Sequence, residues 1–434
     1  MQYYSTNNKN YKVSLAEAVR KGLPEDNGLF MPETIPQLPS DFFQNISSWS
    51  LAEIGYKILY PFASEAIPDN VLKEICDDAF SFEVPLVEVE KNMYSLELYH
   101  GPTLAFKDFG ARFMARALGY FNSGEETRNT ILVATSGDTG SAVANGFYKV
   151  DNVDVVILYP QGKVSDLQEK QMTTLGHNIQ AIAIDGKFDD CQRLVKKTFL
   201  DKSLTEQFGL TSANSINIAR LLPQMLYYFY AYGQLSDIDK QIVFSVPSGN
   251  YGNLTAGTIA KKMGLPVHHF IAATNANDIV PHYLDTGEFE PKSSIETISN
   301  AMDVGDPSNF VRLQELFNHS LAEFRSELSG YSYSDQQTRE TILEVYDENK
   351  YILDPHGAIG YRALDEFMKH ENEVMGVFLE TAHPIKFREA IEPLIGKELE
   401  LPEQLVSVMK AEKKSNNCSV DYNDFKSLLI KLLS

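Results

Sequence analysis

From Met93 onward, short runs of aliphatic and β-branched residues alternate with segments of helical period, and this alternation restricts the possible folds more than any other feature of the chain. Strands separated by helices pair in parallel, lie buried between helix layers and bring their carboxyl ends to a common edge, where loops can carry chemistry. The runs cover residues 94–98, 130–134, 154–158, 179–184, 242–246, 268–272 and 376–379, enough for two sheets. The expected fold is therefore α/β: two open, twisted, mostly parallel sheets with flanking helices. A mostly helical N-terminal region should precede them, its helical stretches broken by Pro24, Pro32, Pro36, Pro39 and Pro61.

A chain of 434 residues is expected to divide into two or three domains. The pattern places the boundaries at 1–92 (helical), 93–230 (a small α/β unit) and 231–434 (a larger one). Phe109, Phe113, Ala117 and Tyr120 recur at helical spacing, and Pro223 interrupts an apolar helical pattern over 216–230, predicting a kink or a new helix start. Near the end, 411–419 reads as a polar linker, and Phe425, Leu428, Leu429, Leu432 and Leu433 form the stripe of a helix docked on the body.

Composition excludes several functions. With 38 basic and 59 acidic residues, the formal charge of -21 repels nucleic acid and anionic membrane surfaces, although a few focused cations can still capture an anionic small molecule. Cys76, Cys191 and Cys418 are far apart, and the nine histidines show no metal-binding spacing, so neither a disulfide framework nor a metal is expected. Residues 1–12 are polar, and no apolar run approaches the roughly 18 residues of a membrane span, which makes the cytoplasm the expected compartment.

Four segments can carry chemistry. In His100-Gly101-Pro102-Thr103-Leu104-Ala105-Phe106-Lys107-Asp108-Phe109, a lysine stands between a strand and a helix. Apolar neighbours would lower its pKa and open condensation with an aldehyde, although by itself it reads first as a solvated loop lysine. Thr135-Ser136-Gly137-Asp138-Thr139-Gly140-Ser141 leads into a helix expected from about Ala142 and can offer backbone N–H groups to a carboxylate or phosphate; an ordinary tight turn explains it equally well. Val246-Pro247-Ser248-Gly249-Asn250-Tyr251-Gly252-Asn253 is again strand, glycine loop and helix, without the Gly-Lys-Ser/Thr ending of a nucleotide loop or a dinucleotide fingerprint. A phosphate on a smaller cofactor fits it. Glu380-Thr381-Ala382-His383-Pro384 follows the last strand and could aim a hydroxyl at the sheet edge, with His383 reading as a turn or packing residue.

Taken in this order, and with Tyr3-Tyr4-Ser5-Thr6 and Gly28-Leu29-Phe30-Met31-Pro32-Glu33 near the start, the segments resemble the threonine synthase family of pyridoxal 5'-phosphate (PLP) enzymes, of the tryptophan-synthase-β-like fold type II. The resemblance spans nearly the whole chain. It implies that Lys107 carries the cofactor, that Ser248, Gly249, Asn250, Tyr251, Gly252 and Asn253 hold its phosphate, and that Thr381 meets its pyridine nitrogen. Ser136, Gly137, Asp138, Thr139 and Gly140 would receive the substrate's α-carboxylate. Asn214-Ser215-Ile216-Asn217-Ile218-Ala219-Arg220 resembles the segment that holds the phosphate of O-phosphohomoserine, through Asn214, Ser215, Asn217 and Arg220, with Lys163 as an additional charge. Without the resemblance, Ser215 reads as a helix cap and Arg220 as a surface arginine.

The resemblance leaves the role of Asp138 open, because an ionised carboxylate beside the cofactor's phenolic oxygen repels it unless protonated or turned away. The implied reaction converts O-phosphohomoserine and water to threonine and phosphate, in a monomer or homodimer. The alternative is a phospholyase that stops at a keto acid.

Overall fold

The computed structural model describes residues 1–123, 128–235, 240–371 and 373–434. At the N-terminus, β1 (Tyr3–Ser5), β2 (Asn8–Val13) and β3 (Phe30–Pro32) form a small antiparallel sheet in the order β2-β1-β3. Helices Leu15–Lys21, Ser40–Asn45, Leu51–Ala63 and Asp69–Ala79 complete the regular structure before β4, with a 3-10 turn at Ile46–Ser48. Pro61 does not break a helix, as had been expected, but lies inside the last turn of Leu51–Ala63, where only the carbonyl four residues back loses a donor.

The remaining strands are β4 (Leu86–Glu90), β5 (Met93–Glu97), β6 (Asn129–Ala134), β7 (Val153–Pro160), β8 (Ile179–Ile184), β9 (Leu210–Thr211), β10 (Gln241–Pro247), β11 (Val267–Thr274), β12 (Leu328–Ser332), β13 (Val374–Glu380) and β14 (Asn416–Cys418). One sheet has the order β12-β11-β10-β13-β5-β4, the other β14-β8-β7-β6-β9. Every pairing in these two sheets is parallel except β4 with β5. The expected class, two mostly parallel sheets between helices, is the observed one.

The sheets do not follow the boundaries drawn from chain order at 92/93 and 230/231. β5 pairs with β13, Leu96 opposite Leu379, and so belongs to the sheet built mainly from strands in the second half of the chain. Conversely, β14 adds to β8 at the edge of the other sheet. Residues 411–419, expected to be a linker, thus contain a strand: an edge strand satisfies its backbone on one side only and needs no apolar alternation to do so. The docked C-terminal helix, Tyr422–Leu433, buries Phe425 and Leu429 against Leu132, Val156 and Leu194 of that same unit.

At Pro223 the chain forms a 3-10 turn, Leu222–Met225, between the helices Ile218–Leu221 and Leu226–Gln234, as the missing N–H requires. The helix after β6 begins at Asp138, one turn before the expected Ala142. The Thr135 hydroxyl accepts the N–H groups of Gly137 (3.0 Å) and Gly140 (2.9 Å), and Gly137 at φ 140° reverses the chain, so the turn is itself the helix start.

Candidate active site

Three of the four segments leave neighbouring strands. β10, β13 and β5 lie side by side in parallel, so the glycine loop after Pro247, Thr381 after Glu380 and the Lys107 loop after Glu97 emerge at one carboxyl edge. The fourth, the turn after β6, comes from the other sheet.

The Lys107 loop is pinned to the end of β13. Phe106 donates its N–H to the Thr381 carbonyl (2.9 Å), His383 donates to Leu104 O (3.1 Å), and Ala105 bridges Ala382. Lys107 is the first residue of the helix Lys107–Asn122, half-buried, with Nζ 5.6 Å from the Phe106 ring centroid. Burial pulls its ammonium down to about 8; the nearby Asp138 carboxylate opposes the drop, and Lys386 and Arg220 add to it. A lysine with that pKa is a nucleophile and a base near neutral pH, which separates it from a solvated loop lysine.

The glycine loop fits a phosphate. A Cβ on Gly249 would come within 2.7 Å of Met302 Cα, and one on Gly252 within 2.9 Å of Ser215 Cβ, so only glycine permits this path. Tyr251, at φ 59°, turns the chain into the helix Gly252–Lys262, whose first N–H groups lack intrahelical acceptors. Asn253 Nδ2 is buried with no hydrogen-bond partner among the described residues, while its Oδ1 accepts the Tyr228 hydroxyl (2.7 Å). The other side chains build the loop: Ser248 Oγ donates to Val246 O (2.8 Å), and the Asn250 amide donates to Ser215 Oγ (2.9 Å) and accepts Ser308 N–H (2.6 Å). Thr381 is buried, and its hydroxyl bonds to no other described residue.

The segment 214–220 divides between two places. Asn217 is fully used by the backbone, capping the helix through Ala219 N–H (3.0 Å) and donating to Val19 O (2.9 Å) and Ser212 O (3.1 Å), so the cap is Asn217 and not Ser215. Asn214, half-buried, contributes its carbonyl to Asn217 N–H. Ser215 Oγ accepts from two amides, Asn250 Nδ2 and Asn309 Nδ2 (3.0 Å), which leaves its own proton free to donate beside the glycine loop.

Arg220 is not on the surface: it is 4% exposed. Its Nη1 donates to Ala213 O, its Nη2 lies 3.5 Å from Lys107 O, and its Nε has no hydrogen-bond partner among the described residues. Among the described residues no carboxylate forms an ion pair with it, and burial pulls the guanidinium down to about 10, with Tyr227 and Asp108 opposing the drop. A buried cation bonded to neutral acceptors, with a donor to spare, can receive an anion.

Ser136 and Thr139 are half-buried on the turn after β6, while Gly137, Asp138 and Gly140 are buried. Asp138 is neither protonated nor turned out to solvent. Burial pushes its carboxyl up, but the Lys386 and Lys107 ammoniums outweigh this and hold it well below the usual carboxylate range. Lys386 Nζ lies 2.6 Å from Asp138 Oδ1, and Gln168 Nε2 donates to the same oxygen at 3.0 Å. A cleft of about 480 Å³ opens alongside, bordered by Lys163, Gln168, Thr297, Lys386 and Arg388.

The sequence reading missed Lys386, Gln168 and Arg312. Arg312 is fully buried and ties Phe30 O (2.8 Å), Ser215 O (2.9 Å), Ile216 O (2.7 Å) and Asn309 Oδ1 (2.8 Å) together, joining the N-terminal sheet to the site. The one available signal was Lys386 inside the apolar run Pro384-Ile385-Lys386-Phe387.

Comparison with known proteins agrees with this geometry. Residues 85–376 match the family model of pyridoxal-phosphate dependent enzymes, 2–80 that of the threonine synthase N terminus, and 357–429 that of the threonine synthase C-terminal region. Threonine synthase of Haemophilus influenzae is 46% identical over 432 residues, covering 99% of this chain and 100% of that one. The chain belongs to the threonine synthase family. Two solved threonine synthases superpose on it: that of Escherichia coli at a TM-score of 0.93 and 45% identity, covering all of both chains, and that of Brucella melitensis, described as PLP-bound, at 0.93 and 36%, covering 100% of this chain and 99% of that one. The family's activity is that of a PLP-dependent lyase, and PLP is its cofactor. Among the described residues, no helix is long and apolar enough to cross a membrane, and no group of three or more His, Cys, Asp or Glu side chains is placed to hold a metal.

Proposed function

We propose that this threonine synthase acts on O-phospho-L-homoserine, taking it with water to L-threonine and phosphate. The observation that carries the substrate is Arg220, a buried guanidinium with no ion-pair partner among the described residues, bonded to the backbone of Lys107. Such a group recognises a dianion close to the reacting carbons.

PLP, when bound, supplies an electron sink for the charge left as the Cα proton departs. Lys107 is the residue that carries it and, once its amine is free, the base and acid at Cα; at about 8 its pKa leaves both forms populated near neutral pH. Ser248 to Asn253 hold the cofactor phosphate: Gly249, Gly252 and Tyr251 shape the path, Asn253 offers its free amide, and Asn250 braces the loop against Ser215. Thr381 offers the ring nitrogen a neutral hydroxyl, which leaves that nitrogen largely unprotonated and limits over-stabilisation of the carbanion.

The N–H groups and hydroxyls of Ser136 to Gly140 receive the α-carboxylate at the start of the helix Asp138–Gly146. Arg220 and the free hydroxyl proton of Ser215 hold the substrate phosphate as its charge grows on leaving; Asn214 and Asn217 shape that segment by their backbone and cap bonds. The free thiols Cys76, Cys191 and Cys418 suit a reducing compartment, and we place the reaction in the cytoplasm.

The test supplies O-phosphohomoserine to the cofactor-loaded protein and quantifies threonine, phosphate and α-ketobutyrate. Equimolar threonine and phosphate are expected. Keto acid without threonine would make the chain a phospholyase, and no phosphate release would remove the substrate.

A further inference from the structure

We propose that Lys386 is a positioning residue for Lys107: clamped between Asp138 and the Thr103 carbonyl, it cancels the Asp138 charge and joins the turn after β6 to the cofactor-lysine loop. This deepens the reading above and rests on Lys107 being the cofactor lysine.

The Lys386 side chain has no exposed surface. It sits in the 3-10 turn Pro384–Phe387, directly after the end of β13, and Nζ donates to Thr103 O at 3.0 Å while pairing Asp138 Oδ1 at 2.6 Å. Thr103 is four residues before Lys107 and is locked to the helix start by Asp108, whose Oδ2 accepts Thr103 N–H (2.8 Å) and whose Oδ1 accepts the Thr103 hydroxyl (2.6 Å). Gln171 Nε2 reaches the same Thr103 carbonyl at 3.1 Å. One ammonium therefore joins segments from both sheets at the place where the two halves of the site meet.

Burying such a pair costs more desolvation than an apolar pair of the same size, so stability alone does not account for it. Its electrostatics do. Lys107 is faced by Asp138 from the helix after β6, by Lys386 from the 3-10 turn and by Arg220 from Ile218–Leu221; Asp108 faces Lys386 and Arg220 in turn, and Tyr227 faces Arg220. Asp138 favours a proton on the Lys107 nitrogen, whereas the two cations oppose it. Among the described residues, Lys386 Nζ and Gln168 Nε2 both take Asp138 Oδ1, so the carboxylate is held by one ammonium and one amide. Lys386 offsets the Asp138 charge, which lets a buried carboxylate stand near Lys107 without fixing a proton on it.

The experiment titrates the visible absorption of the cofactor-loaded protein against pH in wild type, Lys386→Met, Asp138→Asn, Lys386→Arg and the double variant Lys386→Met/Asp138→Asn. The midpoint reports the Lys107 nitrogen. Loss of the cation should raise it by about one pH unit or more, and loss of the carboxylate should lower it by a similar amount. Lys386→Arg, and the double variant, which replaces the pair by a neutral one of similar shape, should return close to wild type. Shifts of the same sign in the two single variants, or no shift in either, overturn the proposal; if Lys386→Met does not fold, Asp138→Asn against the double variant decides it. Borohydride fixation and peptide mapping of each variant separate the two readings. A pyridoxyl group on Lys107 with unmoved midpoints overturns only the role of Lys386, whereas a pyridoxyl group on another lysine overturns the assignment of Lys107.

Discussion

Replacing Arg220 by Met tests substrate recognition at the point where stability and catalysis diverge. Burial lowers the guanidinium from its ordinary 12.5 to about 10, so keeping it charged in the folded protein costs about 3 kcal/mol. Met fills much of the same volume without that cost. Two backbone carbonyls, Ala213 O and Lys107 O, lose their donor, which removes about 1 kcal/mol each. The variant should therefore unfold within about 2 kcal/mol of wild type, in either direction, and should keep a normal cofactor spectrum.

Catalysis should behave differently. A buried charge pair to the substrate phosphate is worth about 2–5 kcal/mol when one partner is removed, so kcat/KM for O-phosphohomoserine should fall by about two orders of magnitude or more. Arg220→Lys should recover part of this, because an ammonium restores charge without the planar fork. Steady-state kinetics together with a denaturant melt provide both readings. Near wild-type kcat/KM in Arg220→Met would refute the argument, and loss of the cofactor spectrum would move Arg220 to the cofactor.

Further outcomes follow from the same geometry. Thr381→Asp puts a carboxylate next in sequence to Glu380, which burial and Asp354 already hold well above the ordinary carboxyl range; the variant should form more keto acid per threonine, and an unchanged product ratio counts against Thr381 as the nitrogen partner. Gly249→Ala places a Cβ 2.7 Å from Met302 Cα and should weaken PLP binding and stability by about 1–3 kcal/mol, as read by cofactor titration and melting; a tolerated alanine would show that the loop has room. In cofactor-free protein, between pH 8 and 10.5 the unfolded chain holds a proton that folded Lys107 has released, so Lys107 makes stability rise with pH through that window, by about 3 kcal/mol in total. The difference between wild type and Lys107→Met, measured from pH 7 to 9.5, should show this slope, and parallel curves would exclude the lowered pKa.

Local chemistry made much of this protein readable without coordinates. Short aliphatic and β-branched runs located seven core strands, because a buried parallel strand must be apolar on both faces. The glycine loop was legible because the close approaches at Gly249 and Gly252 leave no room for a side chain and so restrict which residues can stand there. Sheet membership was not legible. The pairing of β5 with β13 and of β14 with β8 joins residues hundreds of positions apart through backbone hydrogen bonds that carry no side-chain signature. The same holds for charge: Arg220 reads as a surface residue in a linear string and the state of Asp138 stays open, and only packing shows that one is a buried cation and the other an anion paired with Lys386. The sequence specifies which groups are present, but their charge state depends on the solvent they lose and the partners they meet, and both are set by the tertiary fold.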